Sequence, residues 1–337
     1  MAIEKIELPS TAYSPLSDSE LYAMYRPSCW NGLAEAERKD LLQETVNREA
    51  ITDGCKFSAS VSFEDLPASI DGYQSEGNIV LNYNKTVLDI QTAEIDGETV
   101  TAKLSSPSYD SLCTVLHEYR HIKQDAIING VTEAEQPLKA SLEANSNVFS
   151  VVDGKIGSQY MTGETDYGLY YLQPCELDAY VFSEERTDAV MKNIEAEYGT
   201  DPAMEAYREK MSTQGHEAQL KELRAQYNNP NAEHEVAKVL QNTYENIAVP
   251  TDPNIEAAVK GEMIASANAI FEENSASLSQ TAENGATSET AELAAGFLSA
   301  TGSGSEPFFF AGEDNGCHTD TGANEGVTES NYASIGI

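Results

Sequence analysis

Between Ser106 and Ile128 the chain spells a helix that has to be buried against something. Ser106-Pro107 pairs a capping residue with proline at the first helical position, and Asp110 puts a negative charge in the first turn. Leu112, Val115, Leu116, Tyr119 and Ile122 then recur at helical spacing, as one apolar stripe. Such a stripe demands a packing layer, because an isolated helix gains too little in water to order itself. The same helix carries, separately from that stripe, His117-Glu118-Tyr119-Arg120-His121.

The remaining pattern supplies the layer. Residues 1–30 read as an irregular lead-in punctuated by Tyr and Pro. Residues 33–50 read as a helix with Leu42, Val46 and Ala50 on one face, Asn31 or Gly32 near its cap and Gly54 closing it. Lys56 to Phe63 alternates apolar and polar residues as a half-buried strand does. Gly77 to Asn84 is a second strand candidate, and Thr99 to Leu104 a weaker third.

Downstream the periodicity is helical: near 133–150, from Pro174 to Tyr198, and from Asp201-Pro202 to a stop at Asn228-Asn229-Pro230-Asn231. Val236, Val239, Leu240, Tyr244 and Ile247 mark another helix, and Asp252-Pro253 opens one running through Ile270. Beyond about residue 275 the composition turns to Ser, Thr, Ala, Gly, Asn and Glu, and periodicity fades. Phe308-Phe309-Phe310 within it reads as a docking motif or a loosely packed anchor. The expectation is an α+β fold: a small N-terminal β-sheet, then a mostly helical domain. The chain divides into a helical lead-in (1–54), a principal domain (55–275) and an acidic, low-complexity, disordered tail (276–337).

Charge narrows the function classes. With 56 acidic and 20 basic residues the formal net charge is −36. That balance argues against phosphate-driven nucleic-acid binding and against docking on anionic lipid, both of which need clustered Lys and Arg. It suits a soluble protein, a protein that meets a basic partner, or a DNA mimic. Cys29, Cys55, Cys113, Cys175 and Cys317 are odd in number and lack CxxC spacing, which fits reduced thiols in a cytoplasmic protein. No apolar run is long enough for a signal peptide or a membrane span, though export without a cleavable signal is compatible with the sequence.

Two histidines at i and i+4 lie one turn apart, so His117 and His121 can reach one cation. Glu118 lies about 100° around the helix from His117, beside such a metal rather than on it, where it can take a proton from water. Catalytic zinc takes three protein ligands and keeps one open position. The third ligand is not a nearby histidine, since Gln124 and Ile127 occupy the short-spacing positions, and His216 and His234 fall in polar stretches that read as solvent-facing. The helix beginning at Pro174 offers Glu176 and Asp178, about 200° apart and unable to face the same metal. Glu176 shares its face with Ala179 and Tyr180 and is the preferred ligand; Asp178 is the alternative, and both also suit a helix's first turn.

HExxH at 117–121 followed by a helical Glu in the setting Glu176-Leu177-Asp178-Ala179 resembles the gluzincin division of the zincin metallopeptidases. The resemblance covers residues 55–200. It implies a single Zn2+, peptide-bond hydrolysis of a protein or peptide substrate, and a small sheet whose edge strand pairs with the extended substrate, with Ile79 to Tyr83 as the counterpart. One departure stands out: many gluzincins place an acid four residues after the ligand Glu to orient a zinc histidine, and here that position is Tyr180. Asp178 or another carboxylate would have to take that role.

The expected mechanism has Glu118 as general base and Tyr180 or Tyr171 as the preferred oxyanion donor, with Tyr170 and Arg120 as other candidates. Two competing expectations are a catalytically silent zincin scaffold that binds through its acidic surface, and an exported effector protease.

Overall fold

The computed structural model describes residues 8–54, 59–75, 77–95, 98–148, 151–152, 155–156 and 167–245. The expected helix through Ile270, the tail from 276 and the Phe308–Phe310 triplet lie outside the described residues, as do Cys55 and Cys317. The fold is mostly helical with a small sheet, the coarse α+β arrangement expected.

The second half of the lead-in is helical, which corrects the sequence reading, while residues 8–17 carry no helix or strand. Residues 1–30 contain α1 (Asp18–Ala23) and α2 (Pro27–Trp30), the first closed by a capping box between Ser17 and Glu20. Both are too short to display a helical period, yet Leu21, Tyr25 and Trp30 are fully buried. They pack with α3 (Glu35–Thr52) and the metal-motif helix in one core. Arg38 of α3 is buried over the Trp30 ring, 4.6 Å from guanidinium carbon to ring centroid, and pairs with Asp89 at 2.6 Å. Cation–π contact and ion pair together let a charge sit inside this corner.

The sheet comprises β1 (Ser60–Glu64), β2 (Gly72–Ser75) and β3 (Asn78–Asn82) in the order β1-β3-β2. β1 runs parallel to β3 and β2 antiparallel to it. The expected substrate edge, Ile79 to Tyr83, is therefore misplaced: Ile79–Asn82 belong to the central strand, both of whose edges are paired, and Tyr83 begins a helix. Residues 79–82 are buried on successive positions, as a strand covered on both faces requires. Short α4 (Tyr83–Thr86) leads to a separate hairpin, β4 (Ile90–Ile95) with β5 (Glu98–Lys103), the latter close to the expected third strand.

α5 (Pro107–Ile128) crosses the molecule with its apolar stripe buried: Leu112, Val115, Leu116 and Tyr119 are each no more than 1% exposed. Ser106 stands at the N-cap position, but its side chain caps no backbone N–H; its hydroxyl donates to Asp110 Oδ2 at 2.9 Å instead. After α6 (Gln136–Val148), the ribbon of β6 (Val151–Val152) and β7 (Lys155–Ile156), and α7 (Tyr167–Tyr171), the chain enters α8 (Pro174–Tyr198), which packs along α5. Pro174 starts α8 and Gly199, at φ +77°, ends it, so both expected boundaries hold.

Asp201 accepts from the backbone N–H groups of Ala203 and Met204 to open α9 (Pro202–Gln214). The single helix expected from Asp201 to Asn228 is two, broken at Gly215 before α10 (His216–Gln226). A side chain at Gly215 would stand 2.5 Å from the Met211 carbonyl, so the tight break needs glycine. α11 (Ala232–Glu245) follows, with Val236 and Leu240 buried in a second cluster with Ile127, Leu142 and Tyr171. Among the described residues no helix is long and apolar enough to cross a membrane.

Candidate metal centre

The packing of α8 on α5 brings His117, His121 and Glu176 together, with one donor atom from each within 4.8 Å of the others and all three side chains buried. His117 Nε2 and His121 Nε2 are 3.1 Å apart. Glu176 Oε2 lies 3.5 Å from His117 Nε2, and Glu176 Oε1 lies 3.5 Å from His121 Nε2. Among the described residues neither oxygen meets a donor at full hydrogen-bonding geometry. A fully buried carboxylate that faces only imidazole edges is costly unless a positive charge completes the arrangement.

The protonation of the cluster reflects this. Burial acts against the charged forms of all three groups. For His117 burial wins, and its pKa falls. For His121 burial is outweighed by Glu176, and the pKa rises to about 9. For Glu176 burial is outweighed by His121 and then His117, and the pKa falls to about 2. The upward shift at His121 favours an imidazolium beside Glu176, positive charge where a cation would sit.

The geometry separates the two candidate third ligands. Glu176 is in the cluster. Asp178 points elsewhere and is gripped by Arg120, with Nε to Oδ2 at 2.7 Å and Nη2 to Oδ1 at 2.8 Å. Arg120 is thereby engaged and also lies against the Phe182 ring. Glu118 is 1% exposed, and its charge helps raise the His121 pKa, so it lies close to the cluster without joining it.

Tyr180 is half-buried, with its ring 4.5 Å from that of His117. Tyr171 stacks behind Tyr180 at 4.7 Å and is fully buried, as is Tyr170. The row continues to His216, whose Nδ1 is 3.3 Å from the Tyr171 hydroxyl. His216 is therefore not solvent-facing as its polar neighbourhood implied: it is the first residue of α10, where the break at Gly215 turns it inward. His234 is exposed as expected, its side chain 76% accessible.

The sequence reading missed two residues that bind the site together. Gln124 contacts His121 Nδ1 through Oε1 at 2.9 Å and donates from Nε2 to the Cys175 carbonyl and to Asp178 Oδ2, at 2.8 and 2.7 Å. Asn145 of α6 accepts the Cys175 N–H at 3.1 Å and donates to Gln173 Oε1 at 3.0 Å, clamping the first turn of α8 that carries Glu176. Only Gln124 had a signal in the sequence, its position three residues after His121 on the same helix face. A cavity of about 10 Å³ adjoins His121, Gln124, Asn145 and Cys175, room for about one water.

No protein-family model, no curated protein and no solved structure matches this chain.

Proposed function

We propose that this chain is a zinc-dependent peptidase that holds the metal with His117, His121 and Glu176. The observation that carries the reading is the buried Glu176 carboxylate, whose two oxygens face two imidazole nitrogens and no other donor among the described residues. Two imidazoles and a carboxylate form a donor set suited to catalytic zinc, with one position left open. The chemistry zinc supplies in such a set is Lewis acidity, which lowers the pKa of water and polarises a carbonyl.

The chain's own residues do the rest. Glu118 takes the proton of the attacking water and passes it to the departing amine. Tyr180, beside His117, is the phenol placed to donate to the developing oxyanion. An extended peptide would add to β2 rather than β3. β2 is the edge strand that packs on α5, and the Asn82 N–H to Asp71 carbonyl bond fixes the alternation that turns the backbone of Gly72 and Gln74 outward.

One observation favours a second reading, a metal-holding scaffold without turnover. His117, Glu118, His121 and Glu176 are all at most 6% exposed, and the adjoining cavity takes only about one water. Elemental analysis of the purified chain and cleavage of a peptide library separate the readings. About one zinc per chain with cleavage supports the peptidase; one zinc without cleavage supports the scaffold. A folded chain that takes up no zinc rejects both.

A further inference from the structure

We infer that Gln124 is the residue that positions His121 for the metal, so that a neutral amide stands where a histidine's usual orienting carboxylate would. The inference rests on the metal-holding reading above. Its starting point is that the Gln124 amide cannot flip. Its Nε2 has two hydrogens, and both are used on partners that only accept, the Cys175 carbonyl at 2.8 Å and Asp178 Oδ2 at 2.7 Å. Rotating the amide would aim its oxygen at two other oxygens. Oε1 is therefore fixed toward His121 Nδ1, 2.9 Å away, and can only accept.

That fixes the imidazole in turn. Nδ1 carries the hydrogen donated to Gln124, and Nε2 is the nitrogen turned toward His117 and Glu176. The order of the network runs from the charged pair inward. Arg120 holds Asp178 by two bonds, Asp178 holds the Gln124 amide, and the amide sets the ring. Through the Cys175 carbonyl the same amide grips α8 one residue before Glu176. One side chain thus orients a histidine ligand on α5 and locates the carboxylate ligand on α8.

The test is zinc affinity, measured by competition with a chromogenic chelator, in the full chain and in Gln124→Met, which keeps the length and removes every hydrogen bond. Loss of an orienting partner typically weakens metal binding about 10–100-fold, and that fall is expected here. In a His121→Ala background the same substitution should cost clearly less than in the wild type, because the ring it orients is gone and only the grip on α8 remains. Nitrogen-15 NMR of the zinc-loaded wild type should show a slowly exchanging His121 Nδ1–H that Gln124→Met abolishes.

If Gln124→Met does not fold, Gln124→Glu serves, since it keeps an acceptor for Nδ1 and gives up both donors. It should lose stability and retain a protected Nδ1–H. Zinc affinity in Gln124→Met within about threefold of wild type overturns the inference, as does an equal loss in the His121→Ala background or an absent Nδ1–H in the wild type. A wild type that binds zinc while Gln124 proves indifferent sinks this inference alone. A wild type that binds no zinc sinks it together with the metal centre.

Discussion

Glu176 reaches across from α8 to place Oε1 3.5 Å from His121 Nε2 on α5, while Asp178, two residues further along the same helix, bonds Arg120 instead. The two acids carry the same functional group, and helix geometry sends them in different directions. Replacing each in turn should separate their roles. Glu176→Ala is expected to weaken zinc binding by more than the 10–100-fold typical of an orienting partner. Asp178→Asn should stay within that range and lose stability of roughly 1–3 kcal/mol, from the weakened grip on Arg120 and Gln124. Chelator competition and thermal melting measure both; the reverse order would make Asp178 the ligand.

Glu118 is the test of chemistry as distinct from metal binding. Glu118→Gln preserves shape and removes the base, so zinc content should equal that of the wild type while kcat falls about 10²–10⁴-fold. A variant with full zinc and unchanged peptide cleavage would dismiss Glu118 as the base.

Much of this architecture is legible in the sequence where a helix is long or carries a terminal signal. Pro174 and Gly199 announce both ends of α8, and the stripe from Leu112 to Ile122 announces the buried face of α5. What is lost is whatever depends on partners distant along the chain. α1 and α2 are each under two turns, too short for a period, so the burial of Tyr25 and Trp30 leaves no local trace. β2 is hidden because Gly72-Tyr73-Gln74-Ser75 has little apolar content, and its most buried side chain, Gln74, is polar and bonded to Asp125 at 3.1 Å.

The candidate site divides in the same way. His117, Glu118 and His121 are local and could be read from spacing, and Glu176 from helix arithmetic. Gln124, Asn145 and the inward turn of His216 are tertiary facts, visible only once α6, α8 and α10 are assembled around α5.

Gly72 sets how closely β2 approaches α5. A methyl group there would lie 2.9 Å from Leu81 Cδ2 and from the Val80 carbonyl oxygen, and 3.0 Å from Thr114 Cγ2. Gly72→Ala should therefore cost about 1–3 kcal/mol by overpacking and lower Tm by several degrees. Gly32→Ala is the control, since its nearest neighbour, the Cys29 carbonyl, is at an ordinary 3.5 Å. Equal melting of the two variants would show that β2 has room to shift.

Glu184 should give stability a pH dependence separable from that of the acidic surface. Its pKa is raised from 4.5 to about 7, first by burial and then by Glu217, against the opposing bond from the His216 N–H at 2.6 Å. Between those two values the folded chain holds a proton that the unfolded chain has released. Stability contributed by this group therefore falls as pH rises from about 4.5 to about 7, and stays low above. Glu184→Gln keeps an oxygen to accept the His216 N–H and has no charge to bury. The variant should be more stable than the wild type at pH 8 and close to it at pH 4.5, with the gap opening between. Urea unfolding of both proteins across that range measures it, and a gap independent of pH would mean that Glu184 is already ionised in the folded chain at the acid end.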